Sequence, residues 1–479
     1  MNKLKKYYSK LSAPVKASIF FTICNILQRG VSLITAPIFT RLLTTEQYGL
    51  YSVYNSWYSI ISIFATFNLS YGVFIRGITK YDDDRDKFTS AMQGLSTTIT
   101  VIFFIIYIIA HDYWNQLFEL PTMFIVMMFV ELLFVPAFAF WSNLQRNEYK
   151  YKALVIVTLA MSVANPILGI VAVLLTEHKA EARVITSVLV QVCVPLIFYI
   201  IQFYRGKKFY VKKYWKYALT FNIPLIPHYL SMTVLQQADR LMISKLVGNS
   251  EAAIYSVAYT VSTIMTLVTQ AINNSFTPYT YQMIKTKNYK KIGNAANLLL
   301  ILVGCGCIFA IAFGPEIIKI MAPIEYYDAI WIIPPVAISV YFMFLYPLFG
   351  NIEFYFEETK FTMFASCIGA VLNVVLNAIF IPIFGYYAAG YTTLVCYILF
   401  AVAHYFVYKN ICNKKISKNK IYDGKFIVIL SVILVLAMIV MTFVYEFVLI
   451  RYAIILIILV VLFIKRTKII EELKMIKKR

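Results

Sequence analysis

Acidic residues are scarce in this chain. Only 23 of its 479 residues are Asp or Glu, and all charged types together make 14%. A soluble domain carries about 25% charged residues, so the composition excludes an ordinary water-soluble fold. Histidine is scarcer still: His111, His178, His228 and His404 are the only four, and they form no ligand cluster. The seven cysteines are Cys24, Cys193, Cys305, Cys307, Cys367, Cys396 and Cys412, and six of them lie inside apolar segments. No disulfide framework is implied. Cys305 and Cys307 sit among Leu, Ile, Val and Gly, which fits small residues at a helix contact better than a metal site. Enzyme motifs are missing as well. There is no G-x-x-x-x-G-K-[ST], no H-E-x-x-H and no G-x-S-x-G. Long polar loops are absent too, so there is no extramembrane domain to house an active site. The expectation is a non-enzyme with no metal and no cofactor.

What the chain has instead is apolar length. Hydrophobic residues make 61% of it. Stretches such as 99–110, 153–175, 426–444 and 452–464 are almost wholly apolar, and a helix crossing hydrocarbon needs about 20 such residues. The pattern predicts an all-α polytopic membrane protein with about fourteen helices, over 15–38, 49–75, 89–110, 121–141, 152–176, 183–204, 218–244, 252–278, 293–314, 330–351, 360–381, 386–408, 425–446 and 448–465. The last two stretches also fit one re-entrant or interfacial hairpin. The basic start "MNKLKKYYSK" precedes an apolar run too long for a cleaved signal peptide, so it reads as a retained first helix.

The formal charge is +21, and its placement argues against nucleic acid. With the N-terminus inside and alternating spans, 36 of the 44 Lys and Arg fall in inside segments and six in outside ones: Arg41, Lys179, Arg183, Lys245, Lys319 and Arg451. The remaining two, Arg29 and Arg240, fall within helices. That split puts both termini in the cytoplasm. Proline interrupts many spans, at Pro136, Pro166, Pro195, Pro224, Pro227, Pro334, Pro335 and Pro347, as in helices that line a cavity.

A short repeat organises these spans. "RLLTTEQYGLYSV" (41–53) aligns without gaps on "KLVGNSEAAIYSV" (245–257), with Leu42/Leu246, Tyr51/Tyr255, Ser52/Ser256 and Val53/Val257 identical. Both copies straddle an outside turn, six helices apart, so the two halves share one orientation about an axis along the membrane normal. The predicted domains are a six-helix lobe over 1–210, a second over 211–410, and an additional two-helix segment with a basic cytoplasmic tail over 411–479.

Ionisable residues inside spans are the functional candidates, because burying them is costly unless something pairs with them. Arg29 either snorkels, pairs structurally or faces a cavity and binds an anion. Arg41 and Arg76 sit at span ends, where interfacial anchoring is the competing reading. Asp239 and Arg240 are adjacent in one helix and point about 100° apart, so each must meet other helices. Asp239 has Arg29 as one possible partner. Glu131 lies mid-span and must be protonated or paired with a base. His228 follows Pro227 and is either a packing residue or a proton relay. Glu353, Glu357 and Glu358 are expected on a solvated face. Guanidinium groups suit a phosphate-bearing anion. Arg29, Arg41, Arg76 and Arg240 are therefore the candidate substrate-binding residues, and Glu131, Asp239 and His228 the candidates for ion or proton coupling.

"SLITAPIFTRLLTTEQYGLYSVYNSW" and "ADRLMISKLVGNSEAAIYSVAYTVS" resemble the paired signatures of bacterial polysaccharide flippases, within the multidrug/oligosaccharidyl-lipid/polysaccharide exporter superfamily. The resemblance runs from about Leu11 to Tyr408. It implies two six-helix lobes in a V-shaped, MATE-like arrangement in the bacterial cytoplasmic membrane. It also implies an oligosaccharide substrate joined through pyrophosphate to a polyprenol, for O-antigen, capsule or exopolysaccharide synthesis. Arg29 and Arg240 best match the family's basic cavity, and the last two helices are similar to those that extend a lipid groove in lipid II flippases. Membrane lipids, a polysaccharide polymerase and a chain-length regulator are the partners implied. Two other functions fit the composition: a multidrug exporter of the same fold, and a membrane-embedded polysaccharide polymerase, which the short outside loops disfavour.

Overall fold

The computed structural model describes residues 12–358, 360–416, 421–464 and 466. The basic N-terminal stretch 1–11 and most of the C-terminal tail lie outside the described residues. Among those described there are helices and turns and no strand. Eleven helices are long and apolar enough to cross a membrane. The other three expected spans are helical as well: Thr45–Thr66 and Ile226–Leu246 carry more polar residues, and Val448–Ile464 has 17 residues.

The chain divides into two compact units, residues 1–233 and 234–479. The first contains α1 (Ala13–Leu42), α2 (Thr45–Thr66), α3 (Gly72–Lys80), α4 (Arg85–Ile109), α5 (His111–Phe118), α6 (Thr122–Asn147), α7 (Tyr151–Leu174), α8 (Lys179–Gly206) and α9 (Lys212–Asn222). Helix α10 (Ile226–Leu246) crosses the boundary. The second contains α11 (Asn249–Lys285), α12 (Tyr289–Ala312), α13 (Gly314–Met321), α14 (Ile333–Tyr355), α15 (Lys360–Phe384), α16 (Tyr387–Lys415), α17 (Gly424–Phe443) and α18 (Val448–Ile464).

The two corners that the repeat marks fall in register. α1 ends at Leu42 and α10 at Leu246, while α2 starts at Thr45 and α11 at Asn249, all offset by 204. The order continues: α4 and α12 start at Arg85 and Tyr289, and the short α5 and α13 follow at His111 and Gly314. At the first corner a capping box closes the start of α2. The Thr44 hydroxyl accepts from the Gln47 N–H, and the Gln47 side chain accepts from the Thr44 N–H.

One element departs from this order. The single helix expected over 49–75 is two helices, α2 and α3, separated by a turn at 67–71. Phe67 and Asn68 turn left-handed there, with φ 47° and 49°. Asn tolerates that region, and the carbonyls released by the turn find donors. The Asn222 amide donates to the Phe67 carbonyl, and the Asn143 amide donates to the Ser70 carbonyl at 2.6 Å. The equivalent stretch of the second unit is the unbroken 37-residue α11.

Small residues set the closest contacts. Gly94 on α4 meets the chain after α8, where an added Cβ would stand 2.1 Å from the Phe209 carbonyl oxygen. In the second unit α14 is the central helix, packed against α11, α12 and α16. Glu353 belongs to this core rather than to a solvated face. It is fully buried, with its carboxylate 2.7 Å from His404 Nδ1, whereas Glu357 and Glu358 are exposed as expected. The added segment is tied in by Arg451 of α18. That side chain is 2% exposed and donates to both Glu316 oxygens, at 2.8 and 2.7 Å, and to the Ala312 carbonyl at 2.6 Å.

Candidate functional site

Asp239 is the best-ordered candidate, and it lies within the second unit. It is 1% exposed in the middle of α10, where a bare carboxylate would be prohibitive. Three other helices supply its partners. The Tyr255 hydroxyl (α11) donates to Oδ2 at 2.5 Å, and the Thr393 hydroxyl (α16) donates to the same oxygen at 2.7 Å. The Asn377 amide (α15) donates to Oδ1 at 2.7 Å. Around them, Asn373 donates to the Thr393 hydroxyl at 3.2 Å, and the Thr392 hydroxyl donates to the Asn377 amide oxygen. No arginine is among the Asp239 partners, so the pairing with Arg29 is replaced by hydroxyl and amide donors.

This cluster offers one carboxylate, two amide oxygens and two threonine hydroxyls. Oxygen sets of that kind suit hard cations. The cluster carries a single negative charge, so a monovalent cation or a proton would neutralise it, while a divalent ion would leave an excess positive charge in apolar surroundings. Asn373, Asn377, Thr392 and Thr393 were not singled out from the sequence. The signal was present in "VLNVVLNAIF", where two amides stand four residues apart on one helix face within an apolar run.

Arg240 points away from Asp239, as the 100° step requires. It is half-buried, donates to the Gln236 carbonyl at 2.8 Å and to Gln237 at 3.1 Å, and lies 4.5 Å over the Tyr259 ring. Three of the four arginines are in the first unit. Arg29 is exposed on α1, Arg41 is exposed and donates to the Pro37 carbonyl at 2.8 Å, and Arg76 is exposed on α3 with its guanidinium 5.7 Å from the Phe221 ring. Glu131 is 5% exposed on α6 and accepts from the Tyr54 hydroxyl at 3.3 Å, so a phenol stands where a base was one expectation. His228 is half-buried beside Tyr229, in α10.

Arg183, counted above among the outside charges, is 7% exposed. Its guanidinium is sandwiched between Phe39 (4.3 Å) and Tyr51 (4.7 Å) and donates to Asn165 at 2.9 Å. It holds the end of α1 and the start of α2 against α7 and α8.

Two concavities flank these groups. In the first unit a groove of about 950 Å³ runs between α3 and α9 and is lined by Tyr71, Arg76, Thr79, Lys80, Tyr217 and Phe221. In the second unit an apolar groove of about 390 Å³ lies between α14, α16 and α17, lined by residues such as Phe342, Phe349, Val402, Tyr405, Val428 and Leu436.

Comparison with known proteins follows this geometry. The profile described as polysaccharide biosynthesis protein matches residues 15–284, and the MatE profile matches residues 224–379. Lsg locus putative protein 1 of Haemophilus influenzae is 31% identical over 85 residues, 17% of this chain and 21% of that relative, so the match spans about a fifth of the relative's length. The lipid II flippase MurJ, in an inward closed conformation, superposes with a TM-score of 0.65 at 16% identity, covering 94% of this chain and 100% of that one. An inward-facing multidrug resistance MATE family transporter of the MOP superfamily gives 0.61 at 14% identity, covering 83% and 99%. A MOP superfamily transporter from Pyrococcus furiosus, described as having a binding pocket of reverse polarity, gives 0.56 at 14% identity, covering 84% and 97%. At such identities the likeness is one of fold, and that fold is the one expected from the sequence.

Proposed function

The chain belongs to the polysaccharide biosynthesis protein family, and on that ground we propose that it is a flippase for lipid-linked oligosaccharide. It carries polyprenyl-pyrophosphate-linked repeat units from the cytoplasmic to the outer leaflet for cell-surface polysaccharide synthesis. The observation that supports this reading most is the content of the matched stretch. It holds Arg29, Arg41, Arg76 and Arg240, and Arg29, Arg76 and Arg240 have no carboxylate partner among the described residues. Guanidinium groups left without carboxylates suit a pyrophosphate, which they bind through paired oxygens. The apolar groove beside α17 suits the polyprenyl tail. A polysaccharide polymerase and a chain-length regulator would act on the product.

Transport proceeds by alternating access of the two units, in the cytoplasmic membrane of a bacterium with both termini inside, as the 36-to-six charge split argues. The Asp239 cluster takes the coupling species, a monovalent cation or a proton. Glu131 is a second acidic group for the same purpose, with His228 as its candidate relay.

The test is a deletion strain in which lipid-linked repeat units are tracked by leaflet. Loss of the protein should leave them on the cytoplasmic side. Arg29→Ala should fail to restore transport while Arg29→Lys restores part of it. Full restoration by Arg29→Ala would remove that residue from the substrate site. A multidrug exporter is the second reading, favoured by two buried carboxylates, Asp239 and Glu131, that suit cationic cargo. Purified protein that binds organic cations but no pyrophosphoryl lipid would replace the first reading with the second.

A further inference from the structure

The groove between α3 and α9 is built differently from the rest of its surroundings. Its two cations rest on rings rather than on carboxylates. Arg76 lies 5.7 Å from the Phe221 ring, and Lys80 Nζ lies 4.6 Å from the Tyr217 ring and 5.6 Å from Tyr81. An aromatic face holds a cation in place without cancelling its charge, whereas a carboxylate would cancel it. Acids are close in sequence, but they face elsewhere. Asp82 pairs with Arg85, and Asp84 pairs with Lys87 and accepts from Tyr214 at 2.9 Å. Asp82, Asp83, Asp84 and Asp86 line a separate cavity with Arg85 and Lys87, and no carboxylate is among the described residues lining the groove.

A second observation is independent of the charges. The Tyr217 hydroxyl is buried at the groove and has no hydrogen-bond partner among the described residues. An orphaned buried hydroxyl costs about 1–3 kcal/mol and calls for an acceptor. A third concerns the backbone. The groove begins just after the break at 67–71, the one place where the first unit abandons the continuous helix of the second. Broken helices in transporters border ligand sites.

We propose that the groove between α3 and α9 binds a phosphoryl or pyrophosphoryl anion, held by Arg76 and Lys80 with the Tyr217 hydroxyl as a third donor. Two or more charges on the ligand match the two cations, and the guanidinium takes two of its oxygens. At about 950 Å³ the groove has room for a diphosphate and the sugar beside it, with Tyr71 and Phe221 as flanking faces. The groove rests on the flippase reading only for the source of the anion: a polyprenyl diphosphate substrate taken up before crossing, as opposed to a bulk anionic phospholipid.

The experiment uses the full chain in nanodiscs of zwitterionic lipid. Four probes are titrated: inorganic pyrophosphate, polyprenyl diphosphate, phosphatidylglycerol and polyprenol. The variants are Arg76→Ala with Lys80→Ala, Tyr217→Phe alone, and Lys287→Ala with Lys290→Ala as an equal loss of exposed charge elsewhere. The first double variant should weaken binding of inorganic pyrophosphate and polyprenyl diphosphate roughly ten- to a hundredfold. Tyr217→Phe keeps the ring beneath Lys80 and should weaken both by a smaller factor, which preserves the test if the double variant misfolds. Polyprenol binding and the control variant should not change. If phosphatidylglycerol alone tracks the variants, the anion site stands and its occupant is bulk lipid. Equal affinities in wild type and variants, or no anion binding by wild type, overturn the proposal. Intact groove binding in a protein that moves no lipid-linked sugar across liposomes would sink the flippase reading and leave the groove standing.

Discussion

Tyr51 and Tyr255 are each the seventh residue of the helix that follows a corner, 204 positions apart, and they serve opposite charges. The Tyr51 ring lies 4.7 Å from the buried Arg183 guanidinium, while the Tyr255 hydroxyl donates to the buried Asp239 carboxylate at 2.5 Å. A tyrosine allows both, because its ring face attracts cations and its hydroxyl attracts anions. The scaffold position is repeated and the chemistry at it is inverted, so the first unit holds a buried cation where the second holds a buried anion.

The anionic corner should carry the coupling. Asp239→Asn keeps the shape and hydrogen bonds of the cluster and removes its charge. It should abolish the dependence of transport on a cation or proton gradient while the protein stays folded. Tyr255→Phe removes one donor and should move the half-saturating cation concentration or pH by about fivefold. Transport by Asp239→Asn with an unchanged gradient dependence would take coupling away from this cluster.

The cationic corner should be structural. Arg183→Ala removes a stacked, buried side chain together with its bond to Asn165, and should cost about 2–4 kcal/mol, read as a lower thermal midpoint. Arg183→Lys should recover little, because an ammonium cannot stack flat between Phe39 and Tyr51. A lysine variant as stable as wild type would show that charge alone suffices there.

The tie between α18 and α13 should respond to acid. The Arg451 guanidinium holds the Glu316 carboxyl below its ordinary value. An unfolded glutamate titrates near about 4.3, so the stabilisation is fully present above that pH and is lost as pH falls through the lowered folded value. Protease release of the C-terminal segment should therefore rise in that acid window for wild type. In Glu316→Gln it should be raised already at neutral pH and stay flat. A wild-type protein equally resistant at pH 3 and pH 7 would count against the tie.

Gly94 tolerates no side chain. A Cβ there would sit 2.1 Å from a backbone oxygen that cannot swing aside. Gly94→Val should cost several kcal/mol, about 2–4 at least, and reduce the folded yield sharply. Normal yield and thermal midpoint would mean that the segment around Phe209 gives way.

Much of the fold was legible because long apolar runs leave few alternatives to membrane helices, and because the corner at 41–53 carries its own cap and repeats at 245–257. Contacts between distant segments were not legible. The break after Thr66 has no proline to announce it, and its stabilising amides, Asn143 and Asn222, lie far along the chain. Asp239 was marked as costly to bury, but its partners at 373–393 belong to helices more than 130 residues away. Glu353 read as a solvated end residue because nothing local betrays His404, 51 positions on. Arg183 read as a loop charge for the same reason: the rings that enclose it come from α1 and α2.

Helix α11 has a dimension worth following outward. Its 37 residues make a rod roughly 56 Å long, against a hydrocarbon thickness of about 30 Å. Even at a steep tilt, about a third of it must stand clear of the acyl chains. The end that carries Tyr279, Tyr281 and Lys285 therefore works as a stalk among headgroups and water, and reaches a depth that the first unit, by bending at 67–71, forgoes.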